Sequence, residues 1–220
     1  MAINYILFDM DGLLTDSERL SFETLHEIIN EYGFELDRKQ YCNIIGKNND
    51  ACKRLLQEMF SGLNGTEVIA EYGVRFSKAV NDGKLYLKKG VHEILDLCDR
   101  LGIKKAVASS NNGKYVRFSL GSCGILDRMD LLVYDEMVAN AKPAPDLFLK
   151  AAELLSAPHD ECLVLEDSHA GVMAAHAAGI PVIVVPDLIA PNEEILSMCV
   201  RSADSLLDVI DYINSTGKVS

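Results

Sequence analysis

The fold of this chain is decided by the stretch Tyr5-Ile6-Leu7-Phe8-Asp9-Met10-Asp11-Gly12. Its first four residues form a short continuous apolar run, which is typical of a strand covered on both faces of a parallel sheet. Asp9 and Asp11 follow where that run ends, and Gly12 lets the chain turn sharply. Residues two apart on a strand point the same way. The stretch therefore predicts a buried strand that presents two carboxylates to one substrate.

A pair of this kind suits phosphoester hydrolysis. One carboxylate can attack phosphorus, while the other protonates the leaving oxygen and later deprotonates a water molecule. In isolation, the same two residues are better explained as solvated acids of a loop. The interpretation of Asp9 and Asp11 depends on the rest of the chain.

Strand-like runs recur along the chain, and helical periods lie between them. The predicted strands are residues 5–8, 106–108, 131–134, 162–165 and 182–185. This alternation predicts the α/β class with a Rossmann-like parallel-sheet core. Residues 17 to 88 break the pattern, because helical periods follow one another there without a strand. We therefore expect a core domain of residues 1–16 and 89–220 and an α-helical cap domain of residues 17–88, which would lie over the crevice at the strand ends.

Two polar turns at later strand ends supply groups that a carboxylate nucleophile lacks. Ser109-Ser110-Asn111-Asn112 offers a hydroxyl and backbone N–H groups at a strand-to-helix turn, where phosphate oxygens can be bound. Lys142 precedes Pro143 at a helix start and could offset the charge between an aspartate and a phosphate. Each segment alone would be read as a plain polar turn or a solvated lysine.

A third segment, Leu163-Val164-Leu165-Glu166-Asp167-Ser168, ends an apolar strand in two adjacent acids. Hard oxygen ligands of this kind suit Mg²⁺, which usually takes one or two carboxylates, waters and a substrate phosphate. Together with Asp9, Glu166 and Asp167 make a magnesium site plausible.

Composition limits the partners and the location. The chain has 220 residues, 21 Lys and Arg against 33 Asp and Glu, and a net charge of −12. This charge argues against nucleic acid and anionic membranes as partners. No apolar run is long enough to span a bilayer and no segment resembles a secretory signal, so we expect a cytoplasmic protein. The six cysteines include no CxxC pair, which favours reduced thiols over a zinc site. We expect a monomer or weak dimer.

The four segments, in this order, resemble the four motifs of the haloacid dehalogenase (HAD) superfamily, and the whole is most similar to its β-phosphoglucomutase-like branch. The match covers nearly the whole chain, and helices inserted directly after the first motif resemble the caps of this superfamily. The resemblance implies a HAD-type phosphomonoesterase. The implied assignments are Asp9 as nucleophile, Asp11 as acid/base, Ser109 and Lys142 on phosphate, and Mg²⁺ on Asp9, the Asp11 carbonyl and Asp167, with Glu166 ligating directly or through water.

A sugar phosphomutase shares every one of these motifs and differs in its cap. The family's mutases carry a cap histidine where this chain has Ser21, and an arginine in a cap loop where this chain has Gly46-Lys47-Asn48-Asn49. Without an arginine to clamp a second phosphate, water becomes the better acceptor. Ser110, Asn111, Lys47, Asn48 and Asn49 are predicted to bind substrate, although Asn48 could equally cap a helix.

We therefore expect a Mg²⁺-dependent phosphatase that hydrolyses small phosphorylated metabolites, sugar or polyol phosphates above all, through an aspartyl-phosphate. A β-phosphoglucomutase-type enzyme is the first alternative. A non-catalytic protein that binds a phosphorylated ligand is the second.

Overall fold

The computed structural model describes residues 2–216. The chain divides into two compact units, a core unit of Met1–Thr15 with Leu87–Ser220 and a helical unit of Asp16–Tyr86. No helix among the described residues combines the length and the apolar character that a membrane crossing requires.

A six-stranded, all-parallel sheet forms the centre of the core unit. Its strands are β1 (Tyr5–Phe8), β2 (Lys104–Ala108), β3 (Leu131–Val133), β4 (Cys162–Glu166), β5 (Val182–Val184) and β6 (Arg201–Ser202). They are arranged in the order β3-β2-β1-β4-β5-β6. β1 is central, pairing Phe8 with Val107 of β2 on one side and with Leu165 of β4 on the other. The α/β class and the parallel sheet are thus confirmed.

Helices cover both faces of the sheet, as the continuous apolar strands require. They are α5 (Val91–Leu101), α6 (Gly113–Ser122), α7 (Asp146–Leu155), α8 (His169–Ala177), α9 (Glu193–Met198) and α10 (Leu206–Thr216), with short 3-10 turns at Leu126–Arg128, Asp135–Met137 and His159–Glu161. Ile6 and Phe8 join the apolar cluster formed with α5, α6 and α10, whereas Leu7 joins the cluster formed with α7, α8 and α9. Each fully buried side chain of this size stabilises the fold by about 1.5–3 kcal/mol.

Two of these helices begin directly after sheet strands and fix the loops at the carboxyl edge. Asn112 caps α6 by accepting a hydrogen bond from the backbone N–H of Tyr115 (2.9 Å). Ser168 caps α8 in the same way, through the N–H of Gly171 (3.0 Å). Side-chain caps of this kind stabilise a helix start by about 1 kcal/mol. The turns after β2 and β4 are therefore held rigidly.

The helical unit consists of α1 (Ser17–Glu31), α2 (Arg38–Cys42), α3 (Asn49–Met59) and α4 (Gly65–Asn81). The buried face of α1 includes Leu25, Ile28 and Ile29, spaced as one side of a helix requires. Arg75 of α4 binds the carboxylates of Glu31 and Glu71 (2.5 Å each) and so ties α4 to α1.

Four strands differ from the predicted bounds, and a sixth strand was not predicted. β2 begins two residues earlier, at Lys104, and β4 extends one residue further, to Glu166. β3 and β5 each end one residue earlier than predicted, at Val133 and Val184. β6 was not predicted, because it has only two residues and both are exposed. The differences at β2 and β4 arise from charge. The predicted strands stop at charged residues, whereas Lys104, Lys105 and Glu166 lie within the sheet.

Candidate active site

β1 delivers Asp9 to the carboxyl edge of the sheet, between β2 and β4. The backbone N–H of Asp9 donates to the carbonyl of Leu165 on β4 (3.0 Å), so the residue remains tied to the sheet. Gly12 then turns the chain with a φ of +79°, a conformation that glycine adopts readily. The loop closes on itself, because the N–H of Gly12 donates to the carbonyl of Thr15 (2.9 Å). Asp9 and Asp11 thereby lie in a short, fixed turn.

Lys142 is held between two carboxylates and a backbone carbonyl. Its Nζ lies 2.5 Å from Asp9 Oδ1, 2.7 Å from Glu166 Oε1 and 2.8 Å from the carbonyl oxygen of Ala108. Only 5% of the Lys142 side chain is exposed. Burial alone would lower the pKa of Lys142, but the charges of Asp9 and Glu166 outweigh burial and hold this pKa above its usual range. Lys142 is therefore a fixed cation in contact with Asp9.

Glu166, the last residue of β4, is completely buried. Its Oε2 accepts hydrogen bonds from the backbone N–H groups of Asp167 and Ser168 (3.1 Å each) and from the Ser168 hydroxyl (2.9 Å). A Cβ on Gly171 would lie 1.7 Å from Glu166 Oε1, so only glycine leaves room for this carboxylate. With Oε1 on Lys142 and Oε2 at the start of α8, both oxygens of Glu166 are engaged.

The carboxylates of Asp9, Glu166 and Asp167 each bring an oxygen within 4.8 Å of the others. Burial raises the pKa of Asp9 to about 8, and the charges of Glu166 and Asp11 add to this rise while Lys142 opposes it. Burial, followed by the charges of Asp9 and Glu166, also raises the pKa of Asp167 well above its usual range. Crowded oxygen ligands with too little positive charge around them suit a hard divalent cation. The residues present therefore fit Mg²⁺.

Both carboxylate oxygens of Asp11 accept hydrogen bonds from the segment after β2. Asn111 Nδ2 donates to Asp11 Oδ2 (2.8 Å), and the Tyr115 hydroxyl donates to Asp11 Oδ1 (3.0 Å). Asn111 was predicted at the site as a substrate contact. Tyr115 was not predicted, although its position one turn into α6, on the helix that follows the polar turn, was a signal for it. The two donors orient the Asp11 side chain.

The turn after β2 places Ser109 and Ser110 differently. Ser109 is buried, its N–H donates to the carbonyl of Val133 (3.0 Å), and its hydroxyl oxygen accepts from the N–H of Asn111 (3.2 Å). Ser110 is exposed. The structure thus brings Ser109 and Asn111 into the same strand-end group as Asp9 and Asp11.

Sequence reasoning missed one further acid at this edge. Asp187, three residues beyond β5, forms an ion pair with Lys88 (2.5 Å), and its charge is among those that raise the pKa of Asp167. The position of an acid just after the last predicted strand was the available signal.

Lys47, Asn48 and Asn49 lie in the helical unit and are exposed. Asn48 Oδ1 accepts a hydrogen bond from the N–H of Ala51 (3.0 Å) and caps α3. The capping alternative for Asn48 is therefore observed. A contact of these three residues with substrate stays a prediction.

Comparison with known proteins places this site in a family. The family model described as haloacid dehalogenase-like hydrolase matches residues 6–185. YhcW of Bacillus subtilis (strain 168), a protein named as a phosphatase, is 33% identical over 187 residues, which are 84% of each chain. The phosphorylated carbohydrates phosphatase of Thermotoga maritima is 30% identical over 175 residues, 80% of this chain and 81% of that protein.

A solved structure from Thermotoga maritima, named as a β-phosphoglucomutase, superposes with a TM-score of 0.79 at 26% identity. The match covers 96% of this chain and all of that one. The resemblance drawn from the four motifs is confirmed by these matches. The chain belongs to the haloacid dehalogenase-like hydrolases, in their β-phosphoglucomutase-like branch.

Proposed function

We propose that this protein is a Mg²⁺-dependent phosphatase of small phosphorylated metabolites, sugar or polyol phosphates above all, which acts through an aspartyl-phosphate on Asp9. One observation carries the proposal: the Asp9 carboxylate is held by Lys142 (2.5 Å) in the same turn as Asp11. A fixed carboxylate beside a second acid and a permanent cation can serve as a nucleophile. The name of the Thermotoga maritima relative supports a phosphorylated carbohydrate as the substrate.

In the first step, an oxygen of Asp9 attacks phosphorus, and the bond between phosphorus and the leaving oxygen breaks. Asp11 donates a proton to that oxygen, so that the alcohol leaves as a neutral molecule. The phosphoryl group is then carried by Asp9 as an acyl phosphate.

In the second step, water attacks phosphorus and Asp11 accepts the proton of that water. The bond between phosphorus and Asp9 breaks, and inorganic phosphate leaves. Asp9 is again a carboxylate and Asp11 is again an acid, so the cycle is complete. Asn111 and Tyr115 hold Asp11 for both proton transfers through their hydrogen bonds to its oxygens.

The turn after β2 and the buried lysine would bind the phosphoryl group. Lys142 offsets the negative charge that accumulates between Asp9 and the phosphate. The Ser109 hydroxyl and the exposed backbone at Ser110 provide donors for phosphate oxygens at the start of α6, where the helix dipole also favours an anion. Lys47 to Asn49 would contribute from the helical unit if it acts as a cap.

Asp9, the carbonyl of Asp11 and Asp167 would hold the Mg²⁺ ion. When bound, the ion neutralises negative charge on the phosphoryl oxygens that Asp9 approaches. Glu166 would act on the ion through water rather than directly, because Lys142 and the start of α8 already engage both of its oxygens.

The first test compares Asp9→Asn with Asp130→Asn, a matched aspartate whose partner is also a lysine, Lys104 (2.8 Å), at the opposite edge of the sheet. Phosphate release with Mg²⁺ is expected to disappear in Asp9→Asn and to persist in Asp130→Asn. Wild-type protein quenched in acid during turnover should carry one phosphoryl group on the peptide that contains Asp9. Unchanged phosphate release by Asp9→Asn would exclude the mechanism.

The substrate class is tested by a screen of sugar, polyol, nucleotide and organic-acid phosphates, each with Mg²⁺ and with EDTA. We expect the highest kcat/KM among sugar and polyol phosphates and no turnover in EDTA. A preference for nucleotides or organic acids would overturn the substrate assignment and leave the mechanism standing.

A sugar phosphomutase is the second candidate, favoured by the name of the superposed Thermotoga maritima structure. According to the resemblance, Ser21 falls where the mutases have their cap histidine; its Oγ lies 2.8 Å from the Tyr72 hydroxyl within the helical unit. A serine hydroxyl cannot replace the proton transfer of an imidazole near neutral pH. Incubation with β-glucose 1-phosphate and a bisphosphate donor discriminates the two, since isomerisation faster than phosphate release would favour the mutase.

A further inference from the structure

The loop after β5 places the carboxylate of Asp187 at the edge where Asp9 and Asp167 lie. One of its oxygens, Oδ1, is held by Lys88 Nζ (2.5 Å). The backbone of Lys88 is itself fixed, because its N–H donates to the carbonyl of Leu14 (3.0 Å). The orientation of Asp187 is therefore set from the turn that follows β1.

The second oxygen of Asp187, Oδ2, is buried and accepts no hydrogen bond from any residue that the structure describes. The Asp187 side chain as a whole is 12% exposed. A buried carboxylate oxygen without a hydrogen-bond donor is unfavourable, so such an atom calls for a partner.

The distance from Gly12 shows where this oxygen lies. A Cβ built on Gly12 would lie 2.2 Å from Asp167 Oδ2 and 3.3 Å from Asp187 Oδ2. The two carboxylates thus converge over the same glycine, in the turn that carries Asp9 and Asp11. Two carboxylates that approach the same point repel each other unless a cation or a hydrogen-bond donor lies between them.

A direct bond from Asp187 to the metal is not what the geometry favours. Among the described residues, the acids with oxygens mutually within 4.8 Å are Asp9, Glu166 and Asp167, and Asp187 is not one of them. Mg²⁺ keeps several waters when proteins bind it, and these waters are hydrogen-bond donors. An outer carboxylate is a natural acceptor for them.

We propose that Asp187 is a positioning residue of the magnesium site, whose buried Oδ2 accepts a hydrogen bond from a water of the bound ion while Lys88 fixes the other oxygen. The inference rests on the proposed function, because it assumes the Mg²⁺ site on Asp9 and Asp167. Glycine at position 12 would then serve a second purpose beyond its backbone conformation, since it leaves the space in which Asp167 and Asp187 approach each other.

A purely structural reading is that the ion pair of Lys88 and Asp187 ties the loop after β5 to the core. The two readings differ in one respect. If the ion pair alone matters, removal of either partner should affect Mg²⁺ binding equally. If Asp187 Oδ2 matters, removal of Lys88 should weaken binding less, because loss of a nearby positive charge itself favours a cation.

The experiment is Mg²⁺ titration by isothermal calorimetry of the whole chain and of three variants: Asp187→Asn, Lys88→Met and the control Asp130→Asn. We expect a dissociation constant about tenfold higher in Asp187→Asn, as is common when outer-shell partners are removed. Lys88→Met should show a smaller increase, and Asp130→Asn none. Melting temperatures in EDTA, compared with Asp130→Asn, establish that Asp187→Asn is folded.

Two outcomes would overturn the inference: an unchanged dissociation constant in Asp187→Asn, or equal losses in Asp187→Asn and Lys88→Met. If the wild type itself did not bind Mg²⁺, the metal in the proposed function would fail as well. Wild-type binding together with an unaffected Asp187→Asn would refute the positioning role alone.

Discussion

Replacing Asp9 by asparagine should abolish turnover and, in the absence of metal, make the fold more stable. Burial raises the pKa of Asp9 to about 8 from an ordinary value of 3.8. An acid whose pKa is raised by folding destabilises the folded state increasingly as pH rises from the unfolded pKa to the folded one. Asparagine has the shape of the neutral acid and no charge to desolvate, so the variant escapes this penalty.

The magnitude follows from the size of the shift. At about 1.36 kcal/mol for each pH unit between the unfolded and the folded pKa, the penalty on Asp9 is small near pH 5 and on the order of several kcal/mol at pH 8. The charge and the hydrogen bond of Lys142 already lower this pKa, so their loss in the variant is contained in the penalty. The stability gained by Asp9→Asn should therefore grow with pH, with about 2–4 °C in melting temperature for each kcal/mol.

The assay is thermal unfolding in EDTA at pH 5, 6.5 and 8, repeated with saturating Mg²⁺. Mg²⁺ should stabilise the wild type more than Asp9→Asn, because the ion binds the folded state of the wild type. The difference in melting temperature between the two proteins should therefore narrow. The control Asp130→Asn should change the stability of the fold in the opposite direction. Burial tends to raise the pKa of Asp130, but hydrogen bonds from Lys104 and the Lys105 N–H outweigh burial and lower it, so this variant should be destabilised alike at pH 5 and 8. A stability difference for Asp9→Asn that does not grow with pH would refute the reasoning.

Two further predictions concern the surroundings of the site, and a third concerns a buried thiol of α5. Tyr115→Phe should lower kcat about tenfold, since it removes a hydrogen bond that orients Asp11, and such a bond is worth about 1.5–3 kcal/mol when Asp11 is a carboxylate, as in the second step; steady-state kinetics with an unchanged kcat would contradict this role. Gly171→Ala should destabilise the fold by at least about 2 kcal/mol and weaken Mg²⁺ binding, because its Cβ would overlap the buried glutamate that ends β4. The control Gly121→Ala, whose Cβ meets its nearest neighbour at 3.9 Å, should be neutral or stabilising by up to about 1 kcal/mol in denaturant unfolding. Cys98 should resist thiol reagents in the native state at pH 8, because burial raises its pKa to about 12; rapid labelling seen by mass spectrometry would be inconsistent with that burial.

Much of the core follows from local rules that sequence displays directly. β1 has the predicted bounds, because a continuous apolar run followed by a polar turn is a strong local signal. Lys105 shows where such rules stop. It lies within β2, with a side chain 7% exposed, because Asp99 and Asp130 neutralise its charge. Partners so distant in sequence cannot be inferred from the strand itself.

The candidate site shows the same division. Asp9, Lys142 and Glu166 were predicted, since each follows or ends a strand and matches a motif. Tyr115 and Asp187 were missed, because their contacts depend on the angle at which α6 leaves the sheet and on the path of the loop after β5. Those quantities are set by packing between elements rather than by any pattern along the chain.

The residues that meet in the site lie far apart along the chain, and this affects how the molecule folds. The contact of Asp9 with Lys142 joins residues 133 apart, and that of Asp11 with Tyr115 joins residues 104 apart. Contacts of such long range slow folding, because a large loop must close before they stabilise anything. Asp9, the proposed nucleophile, is made within the first ten residues, whereas Lys142 and the glutamate that holds this lysine are synthesised much later. We therefore expect a nascent chain to be incapable of turnover until β4 has joined the sheet, so that catalytic competence reports the pairing of the first strand with a strand made much later.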